Sequence, residues 1–343
     1  MQAYQFLRPL LSPTQAWAAF RWQTFPSVDD PAALSETATA AAPLARIHPL
    51  FVDCRPDWLD APAFSQLLRA AGAANAAIPC LPAEAAGDPG IEAICRRLRA
   101  DDRHVAIAVV SDETLRKLPP DTFDHVFIDA ATARSDFPLI DLIKAHQRGL
   151  QLVATGVVDR ELFDWASAKR FALASTGFVA ARDARTPGDA DTARLKLLKL
   201  LSLVVQDSDT REIEEIFRQE PKLSYNLLRL VNSVAVAPKT PITGFSQAIT
   251  VLGRRQLQRW LQLLIYANQF SQGNQPNPLL QMAAARGRQM EELAAALPAD
   301  PELPEIGEAA YVVGIFSLLD TLLNQPMDEV LAALPVAPRI TRA

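Results

Sequence analysis

Histidine and aspartate are the side chains that hold catalytic metal ions in many hydrolases, and the histidines of this sequence are unevenly distributed. All four lie in the first half, at His48, His104, His125 and His146. The second half contains none. It therefore cannot build a site in which histidine and aspartate together hold two metal ions, and we expect a non-catalytic role for that half.

The cysteines also lack a metal-binding pattern. Cys54, Cys80 and Cys95 form no CxxC pair and have no pair of histidines nearby, so the sequence predicts neither a zinc site nor a disulfide framework. Free thiols are typical of a reducing compartment. The N-terminus lacks the basic start and the apolar core of a signal peptide. We therefore expect a cytoplasmic protein.

Composition narrows the possible partners. The net charge is −5, and hydrophobic residues make up 49% of the chain, as in a soluble globular protein. This charge balance is unlike that of a general nucleic-acid binder, so no nucleic-acid partner is expected. The apolar stretch at residues 309–319 is shorter than the roughly 20 residues that span a bilayer, so no membrane partner is expected either.

The elements of the first half alternate between short apolar runs and helical stretches. Such alternation predicts a mainly parallel sheet, and about eight strands predict a closed (β/α) barrel. The first two strands are joined by only five residues, so they should form an antiparallel hairpin. The predicted strands are residues 4–10, 16–22, 49–53, 76–80, 104–110, 125–129, 150–155 and 171–175, and the predicted helices are 61–71, 90–100, 138–148 and 160–169. The stretch at residues 27–43, rich in Ala and Pro, is predicted to be a loop plus one helix.

The pattern changes after residue 181. Residues 182–191 are polar and include Pro187 and Gly188, which is typical of a linker. Beyond them the apolar residues recur at helical spacing and no convincing strand is found. The predicted organisation is therefore a barrel domain at residues 1–181, a linker at 182–191 and an all-helical domain at 192–343. The later predicted helices are residues 221–231, 243–252, 255–269, 278–296, 307–323 and 327–334.

One run in the helical half carries a family resemblance. Residues 227–233 read Leu-Leu-Arg-Leu-Val-Asn-Ser, which by itself describes any helix with a polar C-terminal cap. The motifs that follow it are more specific as a set: Ile242-Thr243, Gln247-Ala248-Ile249, Leu252-Gly253 and Trp260-Leu261. In this order they resemble the HDOD domain of bacterial signalling proteins, over residues 195–334. Because chains of that family usually continue further, the resemblance implies either that the C-terminal end of the domain is truncated or that its C-terminal cap is missing.

The HDOD resemblance implies a fold like that of the HD phosphohydrolases without their metal ligands. The His-Asp pair of those enzymes would fall near Ser317 and Leu318, which cannot replace an imidazole and a carboxylate. The emptied active site would then leave a groove near Asn232, Ser233, Phe316 and Ser317. We expect this groove to be a surface for protein contact, and we expect no catalytic residue in it.

The first half resembles the EAL domain, a (β/α) barrel that hydrolyses cyclic diguanylate. Four segments carry the resemblance: residues 7–11, 15–21, 51–53 and 154–159. An EAL enzyme uses carboxylates and an asparagine to hold divalent metals. The matching positions mostly lack oxygen ligands: Trp17, Pro79, Val110, Ser111, Thr155 and Val158.

Two acids remain at these positions, Asp53 and Asp129, and Asp112 is a shifted third. A site for hard cations needs several well-placed carboxylates. We therefore read Asp53 and Asp129 as polar residues at strand ends that cap helices. Neither a metal nor another cofactor is expected.

The predicted fold is a degenerate EAL-like (β/α) barrel followed by an HD-like (HDOD) helical bundle. The resemblance implies a catalytically inactive bacterial signalling protein that serves as a scaffold for unidentified signalling proteins. A second reading is a receptor that binds cyclic diguanylate through the barrel without hydrolysing it. A third reading is residual phosphodiesterase activity. Turnover with magnesium or manganese separates the third reading from the other two, and calorimetry with the nucleotide separates the second from the first.

Overall fold

The computed structural model of the chain divides into two compact units, Met1–Ala181 and Arg182–Ala343. It describes residues 4–25, 31–70, 75–181, 278–297 and 306–332, together with single positions between residues 228 and 266. The predicted linker at residues 182–191 lies outside these ranges.

The first unit is a closed eight-stranded barrel in which each strand pairs with its neighbours in chain order. Strands β2 to β8 run parallel, whereas β1 is antiparallel to both β2 and β8. The predicted barrel and its opening hairpin are therefore confirmed. The strands are β1 Tyr4–Leu11, β2 Trp17–Phe25, β3 Leu50–Asp53, β4 Ala77–Leu81, β5 Ala106–Val109, β6 His125–Asp129, β7 Gln151–Thr155 and β8 Leu173–Ser175.

Seven α-helices accompany the strands. They are α1 Ser35–Ala45, α2 Pro62–Ala70, α3 Pro89–Ala100, α4 Asp112–Lys117, α5 Ala130–Asp136, α6 Leu139–Gln147 and α7 Arg160–Ala168. The helices α4 and α5 were absent from the sequence prediction. Each begins directly after a strand at an N-cap side chain, Ser111 for α4 and Asp129 for α5. Both helices are short, so their apolar periodicity is too brief to detect in the sequence.

The barrel interior is filled by alternate residues of the strands, as the two-residue period of a strand requires. The buried side chains form one cluster that includes Leu10, Ala19, Phe51, Ile78, Cys80, Ala106, Phe127 and Val153. Phe51 packs edge-on against Phe127, with ring centroids 5.0 Å apart. This packed interior leaves the strand ends as the place where polar side chains gather.

In the second unit the structure describes four helices beyond residue 277: α8 Pro278–Ala295, α9 Ile306–Phe316, α10 Leu319–Leu323 and α11 Met327–Ala332. The prediction of a single helix over residues 307–323 was wrong, because a turn at Ser317 and Leu318 separates α9 from α10. Residues 306–323 are long and apolar enough to cross a membrane, but half of this stretch is buried in the structure. We read the stretch as a core element of the helical unit.

The helices α8 and α9 cross at two glycines. A Cβ on Gly314 would lie 2.7 Å from the Cα of Gly287 and 2.4 Å from the carbonyl oxygen of Arg286. Only hydrogen at these positions permits so close an approach of the two backbones. The buried Tyr266 hydroxyl donates to the carbonyl oxygen of Ile315 at 2.5 Å and so attaches a further helical segment to α9.

Candidate functional site

The carboxyl end of β3 holds the first of the two predicted acids. The Asp53 carboxylate accepts a hydrogen bond from Arg21 Nε at 2.8 Å and a second from Gln23 Nε2 at 2.9 Å. Arg21 and Gln23 lie two residues apart on β2, so both face the barrel interior. Because Arg21 is level with Phe51 in the β2–β3 register, its long side chain reaches along the barrel to Asp53. Asp53 is therefore held by side chains and does not cap a helix, which corrects the sequence prediction.

Arg21 is the central cation of this site. Its guanidinium carbon lies 4.8 Å from the centre of the Phe127 ring, a cation–π contact. Burial disfavours the charged guanidinium, but the negative charge of Asp53 and its hydrogen bond outweigh that cost, so the pKa of Arg21 lies above its ordinary value. The side chain remains 20% exposed, and that of Asp53 is 27% exposed. The pair thus lies near the water-accessible end of the barrel.

Sequence reasoning did not assign a role to Arg21. A usable signal was present, since a charged side chain in an otherwise apolar strand needs a partner when it points inward. The sequence did not reveal which acid that partner would be, because Asp53 is 32 residues away.

The second predicted acid, Asp129, lies at the end of β6 and caps α5, as predicted. Its Oδ1 atom accepts hydrogen bonds from the backbone N–H and the hydroxyl of Thr132, each at 2.9 Å. The other oxygen lies against Gly156, where a Cβ atom would come within 2.1 Å of it. Gly156 follows β7 and has φ +63°, a conformation that favours glycine. The capping bonds therefore use one carboxylate oxygen of Asp129, and the side chain remains exposed at the end of β6.

The shifted third acid does not join the other two. Asp112 opens α4 and pairs with Arg116 one turn later at 2.9 Å. Arg116 also binds the buried Asp141 of α6 at 2.8 Å. These contacts fasten α4 onto α6, so Asp112 has a structural role in the packing of helices.

The positions that match the other EAL ligands carry apolar or neutral side chains. Trp17 packs edge-on against Phe20, with ring centroids 5.3 Å apart. Val110 and Val158 follow β5 and β7 and are 70% and 64% exposed. Thr155 is paired in register with Asp129. These side chains cannot supply carboxylate ligands to a divalent cation.

Metal-binding groups are not clustered in the part of the chain that the structure describes. No three histidine, cysteine or acidic side chains there lie close enough together to hold a metal ion. Cys54 and Cys80 are buried, and burial raises the pKa of both thiols above the ordinary value, which keeps them protonated. The side chains at the strand ends can orient the Arg21 cation. Asp53, however, is already bound by Arg21 and Gln23, and Asp129 caps α5.

The structure describes three of the four residues of the predicted groove, Asn232, Phe316 and Ser317. The side-chain amide of Asn232 forms two hydrogen bonds with the backbone of Ile242. It donates to the Ile242 carbonyl oxygen at 2.7 Å and accepts from the Ile242 N–H at 2.7 Å. The Ser317 hydroxyl donates to the carbonyl oxygen of Gly314 at 2.8 Å and accepts from Arg286 at 3.0 Å. These two polar side chains therefore tie backbone segments together.

Phe316 does not fit the predicted contact surface. Its side chain is 3% exposed, so it belongs to the core of the helical unit. The prediction that it lines an exposed groove is wrong, because the apolar face of α9 packs inward. Ser233 lies outside the described residues, and its place in a groove stays a prediction.

Comparison with known protein families finds a match in the second half of the chain. Residues 193–328 match the model of the HDOD domain. The chain is similar to the Bacillus subtilis protein YuxH, with 26% identity over 199 residues, and to the Vibrio cholerae cyclic di-GMP phosphodiesterase CdgJ, with 27% identity over 135 residues. The match to YuxH covers 57% of this chain and 47% of YuxH, and the match to CdgJ covers 39% of this chain and 30% of CdgJ. The chain therefore spans about half the length of YuxH and less than a third of the length of CdgJ.

Among solved structures, the chain is similar to Klebsiella pneumoniae BlrP1, with a TM-score of 0.41 and 15% identity over 51% of this chain and 54% of that one. It is also similar to the EAL domain of Mycobacterium smegmatis DcpA, with a TM-score of 0.37 and 18% identity over 50% of this chain and 86% of that one. The barrel is assigned from its own strand order and the helical half from the family model. The chain therefore consists of an N-terminal eight-stranded (β/α) barrel followed by a helical region in which residues 193–328 match the HDOD domain.

Proposed function

We propose that this chain is a non-catalytic regulatory protein of cyclic di-GMP signalling, and that it works as a scaffold for other proteins. The observation that carries the proposal is that the Asp53 carboxylate is already hydrogen-bonded to neighbouring side chains. Both oxygens of its carboxylate are bound by Arg21 and Gln23, at 2.8 and 2.9 Å. An acid that neutralises a neighbouring guanidinium is a poor ligand for a divalent cation, because a metal ion would have to displace the arginine and then lie beside its positive charge.

The second acid supports the same conclusion. Asp129 is committed to the N-terminus of α5 and to the close contact with Gly156. Phosphodiester hydrolysis with two metals needs several free carboxylates around the attacking water. Asp53 and Asp129 are the acids retained at the matching positions, and each already has a structural partner. We therefore read the barrel as a degenerate relative of the EAL enzymes.

A hydrolysis assay tests the non-catalytic part of this proposal. The full chain is incubated with cyclic di-GMP and either Mg²⁺ or Mn²⁺, and the linear dinucleotide product is measured by chromatography. We expect no product above the protein-free control. Turnover that disappears in the Asp53→Ala and Asp129→Ala variants would show that these acids still act in catalysis and would overturn the proposal.

The scaffold part rests on the two domains having kept their folds while their catalytic positions took on structural roles. The proposed partners are signalling proteins in the cytoplasm, and the buried free thiols at Cys54, Cys80 and Cys95 fit a reducing compartment. Affinity capture from the native host with the full chain, followed by mass spectrometry, should recover the same signalling protein in repeated experiments. The purified partner should then bind directly, and failure to bind directly contradicts the scaffold role.

A second candidate function is a receptor that binds cyclic di-GMP without hydrolysis. It is favoured by the similarity to CdgJ, whose name is that of a cyclic di-GMP phosphodiesterase. Arg21 is a suitable cation for a phosphate, although Asp53 competes for it. Calorimetry distinguishes the two functions: micromolar affinity without turnover favours the receptor, and no heat at millimolar nucleotide excludes it.

A further inference from the structure

A cavity of about 250 Å³ lies on the outer side of the barrel between α2 and α3. Three arginines line it, and they come from separate short segments: Arg69 from the end of α2, Arg97 from the last turn of α3, and Arg103 from the loop after α3. Two aspartates, Asp60 and Asp101, complete the charged lining. The cavity is formed by the outer helices, whereas Asp53 and Asp129 lie at the ends of barrel strands.

The main chain at Arg103 is fixed by the way in which α3 ends. Asp102 adopts a left-handed conformation with φ +59°, and its N–H donates to the carbonyl oxygen of Arg99 at 3.0 Å. The N–H of Arg103 donates to the carbonyl oxygen of Leu98 at 3.0 Å. This pair of bonds is a Schellman motif. The Asn75 amide also donates to the carbonyl oxygen of Asp102 at 3.0 Å, so the main chain at Arg103 is fixed before any ligand arrives.

The charges of the lining leave a positive excess. Arg97 donates to Asp60 at 2.5 Å, and both side chains are mostly exposed. Arg69 and Arg103 form no ion pair with any residue that the structure describes. Asp101 is the remaining carboxylate of the lining. Three guanidiniums against two carboxylates give a net charge of one positive unit, which suits a monoanion.

The rest of the lining is apolar apart from Ser65. Leu59, Phe64 and Leu68 are buried side chains, with 5%, 1% and 6% exposure, and Leu98 of α3 lies opposite them. Drug-sized ligands occupy pockets of roughly 300 to 1,000 Å³, so this cavity suits a smaller molecule. A single ring or a short aliphatic chain fits the volume, and a dinucleotide does not.

We propose that this cavity binds a small organic monoanion, a carboxylate with an aromatic or aliphatic end. The planar guanidiniums of Arg69 and Arg103 match the geometry of a carboxylate and bind it with charge-assisted hydrogen bonds. The apolar end of the ligand lies against Phe64 and Leu68. The Arg97–Asp60 pair limits the affinity, because Asp60 repels an incoming anion and already pairs with the Arg97 guanidinium.

Benzoate is the probe for this site, with benzamide as its uncharged counterpart and acetate as the carboxylate without an apolar end. Binding to the full chain is measured by saturation-transfer NMR titration. We expect a dissociation constant for benzoate on the order of 1 mM, a value suited to so small a ligand. Benzamide and acetate should each bind about tenfold more weakly, because each lacks one of the two interactions. Equal binding of benzoate and benzamide overturns the proposal.

Variants locate the bound probe. Arg69→Gln combined with Arg103→Gln should weaken benzoate binding about tenfold or more, while Arg134→Gln, a change of an arginine on α5, should leave it unchanged. Asp60→Asn should strengthen binding about threefold, because it frees Arg97 and removes a negative charge. This gain cannot result from a damaged fold. Unchanged affinity in both the double variant and Asp60→Asn would place benzoate elsewhere and refute the site.

Discussion

Arg21 and Asp53 form an ion pair at 2.8 Å between two parallel barrel strands, although they lie 32 residues apart in the chain. Their side chains are 20% and 27% exposed, so the pair is screened by water only in part. The Phe127 ring supports the guanidinium from one side. The pair therefore links β2 to β3 and, under the proposed function, keeps Asp53 from binding a metal ion.

Replacing one partner of this pair should destabilise the barrel. Arg21→Gln leaves the Asp53 carboxylate with Gln23 as its remaining amide donor, and we expect a loss of about 1–3 kcal/mol in the free energy of unfolding. Urea denaturation measures this loss. The double variant Arg21→Met with Asp53→Leu should recover most of it, because it leaves no unpaired charge. A double variant less stable than Arg21→Gln contradicts this account.

An exposed ion pair provides the matched control for that experiment. Arg134 and Glu161 are 2.7 Å apart, with side chains 44% and 41% exposed. Because water screens this pair, Arg134→Gln should cost less than about 1 kcal/mol. A cost equal to that of Arg21→Gln would mean that the position of the Arg21–Asp53 pair confers no special stability.

The contact between Gly156 and Asp129 yields a second prediction. Gly156→Ala should destabilise the barrel by about 1–3 kcal/mol, because the new Cβ would come within 2.1 Å of the carboxylate and the backbone φ is +63°. Asp129→Ala alone should cost about 1 kcal/mol, the usual value of an N-cap. In the Asp129→Ala background the clash is absent, so Gly156→Ala should cost less there. The losses of stability are measured by thermal unfolding. If the loss in the double variant equals the sum of the losses in the two single variants, the contact between Gly156 and Asp129 is refuted.

The crossing of α8 and α9 provides a third prediction. Gly314→Ala places a methyl group 2.4 Å from a backbone oxygen, which cannot move aside as a side chain would. We expect a loss of about 3 kcal/mol in unfolding free energy, at the upper end of overpacking effects. Gly307→Ala on the same helix is the control. Its nearest neighbour would be 3.9 Å away, so the change should be neutral or stabilising by up to about 1 kcal/mol.

A fourth prediction concerns acid stability. Burial disfavours the charged imidazolium of His125, and the neighbouring His104 adds to this effect, so the pKa of His125 is lowered to about 4. Asp124 opposes the shift, and the edge of the His125 ring meets Phe51. An unfolded histidine titrates near pH 6.5. The unfolded state therefore binds the proton first, and this contribution to stability is complete above about pH 6.5 and is lost as the pH falls towards 4.

The loss attributable to His125 should approach about 3 kcal/mol, because each unit of pKa corresponds to about 1.36 kcal/mol. Unfolding free energies measured between pH 7 and pH 4 should therefore fall less steeply for His125→Gln than for the wild type. Identical slopes for the variant and the wild type would rule out His125 as a source of acid lability.

The sequence by itself determined the position of most barrel elements. Strands such as β6 are continuous apolar runs with β-branched residues, and a buried strand has to be apolar on both faces. It also determined that the chain begins with a hairpin, because five residues cannot hold a crossover helix. The capping role of Asp129 could be predicted as well, because a cap depends on residues only three positions away.

Only the tertiary structure decided the interactions between distant segments. The pairing of Asp53 with Arg21 depends on the register of β2 against β3, and a shift by one residue would turn Arg21 out of the barrel. The burial of Phe316 depends on the face of α9 that packs inward, and the close approach of Gly287 and Gly314 depends on where two helices cross. The cavity at Arg69 and Arg103 likewise exists only once α2 and α3 are adjacent. Local patterns fix elements and caps because those interactions are short in sequence, whereas contacts between elements are set by the packing of the whole domain.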